Sequence, residues 1–494
     1  MSETTTPATT TPAITTAATT SAATAGGVEL VVVDPATLIF AANVRVDARL
    51  DAGFVASVRE QGVLRPIVAD RDGEGGLVVR FGHRRTLAAI EAGRDQVPVY
   101  VLTQTPTAED GAEGEARGVG EVERVVEQLA ENHHRAGLTA AEDAAAFQQL
   151  EAFGLSPSQI ARRTHRSKAD VTAGLAVARC ELASKASARW EFLTLEQSAV
   201  LAEFAANTQS VTELVAAAKA GGFAQVTQRL RDDRDDTAAY AAMAAELTAA
   251  GTVVIERQGF SYPGARLDNI GIDPADHTAC PGHAAFLTSR WARPTDADQP
   301  RPGWAAVYVC LDAETNGHQS ASRPARVEGE RRQMSEEEKA ERQRVIEGNK
   351  DWRAATTVRR AWLATFAARK TPPKGVEGFV LTCLLAGDHE IRTAMEQKHP
   401  RLREALGVPE AEGQGWERGG REIAALVEQM ATATAKRQLV VLAALLLAAW
   451  EDRTSVQTWR HATPDVRRYL GAMIEWGYDA GPLERTLVAN EAAN

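Results

Sequence analysis

Three clusters in this 494-residue chain have residue types and spacing suited to chemistry. The first is Gly82-His83-Arg84-Arg85, where the apolar run Leu77–Phe81 meets a helical pattern. Free N–H groups and the dipole at a helix start attract anions, glycine permits close backbone approach, and paired arginines offer forked donors to phosphate. Taken alone, the arginines are also explained as solvated charge. The second is Glu131-Asn132-His133-His134-Arg135. A carboxylate beside an amide supplies oxygen ligands of the kind Mg²⁺ accepts while keeping waters and substrate phosphates; in isolation the segment also reads as a frayed helix end. The third is Cys280-Pro281-Gly282-His283 with Cys310 and His318 beyond it. Two thiols and two imidazoles are the donors of a closed, structural Zn²⁺ site, with His277 as a spare ligand. The spacing is not that of a standard finger, and buried thiols beside surface histidines explain the same residues.

The elements that position these clusters follow from pattern. From Val28 to Leu102 strands and helices alternate: Leu30–Val33, Pro66–Ala69, Leu77–Phe81 and Val97–Leu102 read as strands. Helices are predicted around Leu50–Val58 and His83–Ala92, stopped by Gly62 and Gly93. Thr139–Glu142 and Ser156–Gln159 have the form of capping boxes, and Ser167 starts a further helix. Two helices joined at Thr164-His165-Arg166 have helix-turn-helix dimensions, with Ile160, Ala161, Val171 and Leu175 as their core. Between Leu155 and Trp190 seven Lys/Arg face two Asp/Glu, a local +5 in a chain at −11. That is the footprint of phosphate contacts through Arg162, Arg163 and Arg166, with Ser167, Lys168, Ala169, Asp170 and Thr172 presented to a DNA groove.

Composition sets the outer bounds. At 44% apolar and 24% charged the chain is neither collagen-like nor wholly disordered, and four cysteines make no disulfide framework. Residues 2–25, with eleven Thr, seven Ala and a single charge, are expected to be a disordered tail. The twelve-residue apolar run Leu439–Trp450 is shorter than a membrane span and reads as a core helix. With no secretory signal in view, a cytoplasmic location is expected. Cys180 and Cys383 read as core residues, and six tryptophans between Trp352 and Trp476 as core packing, not base-stacking platforms. The reading is a multi-domain α+β chain: a tail (1–27), a small mixed α/β domain (28–137), an all-α helix-turn-helix domain (138–250), a Cys/His module (251–325) and a helical region (326–494).

The order of these motifs resembles the ParB family of chromosome and plasmid partition proteins, whose first domain is ParB/sulfiredoxin-like. The resemblance covers about residues 30–190 and rests on Gly62-Val63-Leu64-Arg65-Pro66-Ile67, Gly82 to Ala89, Glu131 to Arg135, and the helix-turn-helix. It implies binding of CTP with Mg²⁺, slow hydrolysis, and a homodimer that switches to a clamp on operator DNA, nucleoid- or plasmid-associated. By the same resemblance Gly82, His83, Arg84, Arg85 and Arg135 line the nucleotide site, Asn132 bears on Mg²⁺, Glu131 on hydrolysis, and the Gly62 loop lies beside the base. Two positions depart from the family: His83 replaces the usual Glu, and His134 the usual Gln. Both bear more on hydrolysis than on binding. An alternative is a transcription or replication regulator of this fold that has lost the CTP switch. A redox enzyme of the sulfiredoxin type needs a thiol near the phosphate loop, and residues 1–179 contain no Cys. The resemblance implies a ParA-type ATPase as partner, but the first Lys or Arg is Arg45, so no tail arginine makes that contact.

Overall fold

Five short runs, four of them rich in β-branched residues, build the sheet at the start of the computed structural model: β1 (Val28–Val33), β2 (Ile39–Phe40), β3 (Ile67–Arg71), β4 (Leu77–Phe81) and β5 (Val97–Leu102). The structure describes residues 28–40, 50–72, 75–102, 122, 125–126, 129, 139–256, 264–290, 303–318, 335–387, 389–409, 411–412 and 415–489. The Thr/Ala tail and the whole Glu131–Arg135 cluster lie outside them. The described residues fall into two compact units, 1–205 and 206–494.

In the first unit the strand order is β1-β5-β3-β4-β2. β5 runs antiparallel to β1 and parallel to β3; β4 runs antiparallel to β3 and parallel to β2. Two helices, α1 (Ala52–Gln61) and α2 (His83–Glu91), cover one face. Strand alternation decides that face: Ile67, Ala69, Val97, Val99 and Val101 point into a core with Val55, Val58, Ala88 and Ala89. Leu30, Val32 and Tyr100 point the other way and are exposed.

Five helices follow: α3 (Ala140–Ala152), α4 (Pro157–Thr164), α5 (Lys168–Arg179), α6 (Glu181–Arg189) and α7 (Leu195–Glu203). The expected caps at Thr139, Ser156 and Ser167 form complete capping boxes. Phe147, Leu150, Ile160, Val171 and Leu175 pack together with Val122 and Val125. α5 approaches α3 closely at Gly174, where an added Cβ would stand 2.5 Å from Phe147 Cδ2. Gly174→Val is therefore expected to destabilise the unit by about 1–3 kcal/mol through overpacking, measured by urea denaturation.

The second unit begins with α8 (Thr208–Ala220) and the 27-residue α9 (Phe223–Ala249). A small sheet follows: β6 (Val253–Val254), β7 (Ala265–Arg266), β8 (His283–Arg290) and β9 (Gly303–Cys310), ordered β6-β8-β9-β7. Leu247 near the end of α9 packs with Ala285 and Leu287 on one sheet face, while Ala284, Phe286 and Val309 occupy the other.

The remainder is helical: α10 (Glu336–Ala367), α11 (Val376–Ala386), α12 (His389–Glu396), α13 (Pro400–Ala405), α14 (Gly415–Ala431), α15 (Ala435–Arg453), α16 (Pro464–Glu475) and α17 (Pro482–Ala489). The apolar run of α15, ending at the buried Trp450, is the centre of this core, and Trp352, Trp459 and Trp476 are buried around it. No described helix is long and apolar enough to cross a membrane. Within the core, Arg359 donates to Glu451 Oε2 at 2.8 Å and to Glu484 Oε1 at 2.7 Å, and all three side chains are fully buried.

Candidate functional site

The start of α2 carries the first cluster. Gly82 caps the helix at φ 103°, a left-handed conformation that a Cβ would strain, and no side chain caps the first turn. The structure brings this turn to the Gly62–Ile67 loop. Arg85 is the link: its Nη1 donates to the main-chain oxygens of Arg65 at 2.6 Å and Pro66 at 2.8 Å. Part of the guanidinium expected to meet phosphate therefore fixes the loop. Arg84 is exposed at the helix start, its guanidinium 5.6 Å from the centre of the Phe54 ring. His83 lies 5.9 Å from Phe40, ring centre to ring centre. Gly62 is also left-handed, at φ 74°, with an added Cβ 3.1 Å from Arg94. Glu131, Asn132 and Arg135 are among the residues not described.

The two helices expected as a helix-turn-helix are α4 and α5, joined by a short turn. His165 ends α4 in the left-handed region at φ 52°, as expected of a tight turn without glycine. Arg162, Arg163 and Lys168 lie exposed. Arg166 does something else: its Nη2 reaches both oxygens of Asp143 on α3, at 3.0 and 2.9 Å. It braces the turn against the preceding helix instead of extending outward. Ser167 and Asp170 are reciprocally tied as the cap of α5, Ser167 Oγ accepting from Asp170 N–H at 3.0 Å. Thr172 is exposed, and its hydroxyl donates to Lys168 O at 2.8 Å. Of the eight residues expected on DNA, Arg166, Ser167 and Asp170 are thus engaged in holding the element together.

The third cluster is a group of four, and not the four first expected. His277, Cys280, Cys310 and His318 have their ligating atoms within 4.8 Å of one another, a set that could hold a metal ion. His283 stands behind His277, Nδ1 to Nδ1 at 3.0 Å, with its Nε2 3.2 Å from Thr252 Oγ1. The reason is directional. His283 opens β8 beside β6, and its ring turns toward the Thr252 that precedes β6. His277-Pro-free turn to Cys280 has the same two-residue spacing as Cys280 to His283, and that spacing was the signal available for the spare ligand. Burial, then the neighbouring His318 and His283, hold His277 below the usual imidazole value and favour its neutral form.

Comparison with known families and proteins bears on the first unit. The ParB N-terminal domain family model matches residues 43–112. The chain carries a ParB N-terminal domain. Over 158 residues it is 32% identical to the probable chromosome-partitioning protein ParB of Treponema pallidum, spanning 31% of this chain and 44% of that relative. It is also 32% identical to the chromosome-partitioning protein Spo0J of Thermus thermophilus, over 24% of this chain and 38% of the relative. The chain thus spans less than half the length of these relatives. Among solved structures, the ParB of Caulobacter crescentus complexed to the centromeric parS site aligns at 19% identity and TM-score 0.24, over 35% of this chain and 83% of that one. The same protein complexed with CTP-gamma-S aligns at 22% and 0.17, over 39% and 97%. Within the ParB N-terminal domain match lie Gly62, Gly82, Arg84 and Arg85; the helix-turn-helix and the Cys/His cluster lie beyond it.

Proposed function

We propose that this chain is a sequence-specific DNA-binding partition protein. It grips a double-stranded operator through α4 and α5, and it binds CTP with Mg²⁺ at the start of α2 to switch a homodimer to a clamp during plasmid or chromosome segregation. The observation that carries this reading is a pair of helices of helix-turn-helix form with an exposed cationic edge, Arg162, Arg163 and Lys168, downstream of the ParB N-terminal domain match. Local positive charge in an acidic chain concentrates phosphate affinity on that edge. The uncapped first turn of α2, with Arg84 exposed beside it, suits the triphosphate. A ParA-type ATPase is the expected partner and the DNA-associated cytoplasm the expected place. The Cys/His cluster plays no part in this reading.

Selection of bound duplexes from a random pool, with and without CTP, tests it: one enriched palindrome is expected, and no enrichment overturns it. The nucleotide half has its own test. Arg84→Ala is expected to weaken CTP binding about 10- to 100-fold by loss of charge-assisted bonds to phosphate. Arg85→Ala should weaken it less, since its described bonds go to the loop. Calorimetry with CTP and Mg²⁺ reads both, and unchanged affinity in Arg84→Ala removes the site.

A second reading, a regulator of the same fold without the switch, is favoured by His83 where the family has Glu and by Arg85's commitment to main-chain oxygens. It predicts no heat with CTP even when operator DNA is present.

A further inference from the structure

We propose that the second unit is stapled by one structural Zn²⁺, held by His277 Nε2, Cys280 Sγ, Cys310 Sγ and His318 Nε2, with His283 and Thr252 fixing the tautomer of the first ligand. This is independent of the DNA-binding reading, which uses only the first unit.

Three of the six donor-to-donor edges are close to those of a zinc tetrahedron. Zinc bonds of about 2.3 Å to sulfur and about 2.0 Å to nitrogen imply tetrahedral edges of about 3.8 Å between sulfurs, about 3.3 Å between nitrogens and about 3.5 Å for mixed pairs. The chain has Cys280 Sγ and Cys310 Sγ 3.9 Å apart, His277 Nε2 and His318 Nε2 3.0 Å apart, and Cys280 Sγ 3.4 Å from His318 Nε2. Both cysteines are free thiols, their sulfurs well beyond a disulfide bond length. A tetrahedron of two sulfurs and two imidazoles selects zinc over Mg²⁺ and Ca²⁺, which take oxygen, and over Cu²⁺ and Ni²⁺, which prefer square-planar sets.

Outer contacts complete the site as metal centres require. If His277 Nε2 gives its lone pair to the ion, Nδ1 carries the proton and donates to His283 Nδ1. His283 then carries its own proton on Nε2 and donates to Thr252 Oγ1, so every ring nitrogen is used once. Asn316 Nδ2 donates to Cys310 Sγ at 3.5 Å, which supports a thiolate. Gly282 is shaped by the same cluster: an added Cβ would lie 2.6 Å from Asn316 Nδ2 and 2.7 Å from Cys310 Sγ. Two tight turns aim the first ligands, Cys280 N–H donating to His277 O at 3.0 Å and His283 N–H to Cys280 O at 2.9 Å.

Burial makes the site structural. His277 and Cys310 are buried and the other two ligands half-buried, and four protein donors leave no position for substrate. Cys310 closes β9, while His277 and Cys280 come from the irregular segment before β8 and His318 from the one after β9. One ion ties both segments to the sheet.

The test uses the full chain purified without added metal. Elemental analysis should find one zinc per chain, retained on dialysis and released by a mercurial thiol reagent. Cobalt exchange should give the thiolate charge-transfer and ligand-field absorption of a tetrahedral site. Cys310→Ser should lose the zinc. In case that variant does not fold, His283→Ala keeps all four ligands and should keep the cobalt spectrum while weakening zinc about 10- to 100-fold. A chain with no zinc and no thiolate–cobalt band, iron in place of zinc, a Cys280–Cys310 disulfide in the native protein, or His283→Ala with unchanged zinc affinity would each overturn the proposal in whole or in its outer contacts.

Discussion

Replacing Arg162, Arg163 and Lys168 together by alanine is expected to lower operator affinity about 100- to 1,000-fold at physiological salt. Charge-assisted bonds to phosphate contribute about 1.5–3 kcal/mol each before non-additivity, and these three cations are exposed at the free edge of the helix-turn-helix. The salt dependence is the sharper readout. Each neutralised phosphate contributes about −0.9 to the slope of log K against log salt, so the triple variant should flatten the slope by about 2.7. Fluorescence anisotropy on labelled operator between low and moderate salt measures both. Arg166→Ala is the internal control, because Arg166 is spent on Asp143 of α3. It should lower the thermal midpoint and leave the slope as it was. A triple variant with an unchanged slope means that DNA, if bound, sits elsewhere.

Arg359→Met should be the most destabilising single change in the second unit, by about 3–5 kcal/mol. The guanidinium is enclosed with Glu451 and Glu484, while Tyr469 donates to Glu451 and Tyr478 donates to Glu484 at 2.9 Å. Burial opposes the charge on Arg359, yet the two carboxylates hold it well above the ordinary arginine value. Without it two acids remain in the core, with the half-exposed Arg360 the one further cation paired to them among the described residues, 3.7 Å from Glu451. Burial and the adjacent carboxylates push both tyrosines upward, so both stay neutral donors and add no further negative charge at neutral pH. Arg360→Ala, a partly solvated pair, should cost about 1 kcal/mol or less. Chemical denaturation of the second unit's transition compares the two, and equal effects would show that the buried network contributes little.

Much of the first unit is legible in sequence because its signals are local. Leu77–Phe81 and Val97–Leu102 announce themselves by β-branched runs, and Thr139, Ser156 and Ser167 mark their helices by caps that the side chains themselves make. The pairing of β2 with β4 is invisible by comparison: Ile39–Phe40 is too short for any period and is held by a partner forty residues away in sequence, give or take. Arg166 shows the same limit in chemistry. Its charge is readable, but its engagement with Asp143 depends on α5 nestling against α3 at Gly174. His277 and His283 flank Cys280 at equal spacing, and only the direction in which β8 leaves the turn decides which imidazole faces the thiols. By its charge density the stretch from Glu328 to Lys350 reads as a solvated helix or linker; from Glu336 it is α10, which continues inward to bury Trp352, Leu363 and Phe366. Cys383 is core as expected, whereas Cys180 is half-buried at the joint of α5 and α6, where the chain changes direction.

One element of the second unit has a mechanical corollary. α9 meets the carboxy-terminal helices at its start, where Gln225 donates to Tyr478 Oη at 2.9 Å, and meets the small sheet at its end through Leu247. At 1.5 Å per residue it is a rod of about 40 Å. A tilt of about three degrees at the sheet end sweeps the far end through about 2 Å, more than close-packed side chains absorb without repacking. The rod is also braced along its length, Lys350 of α10 donating to Asp233 and Arg229 meeting Asp351, so the Cys/His end and the helical core share one stiff spine.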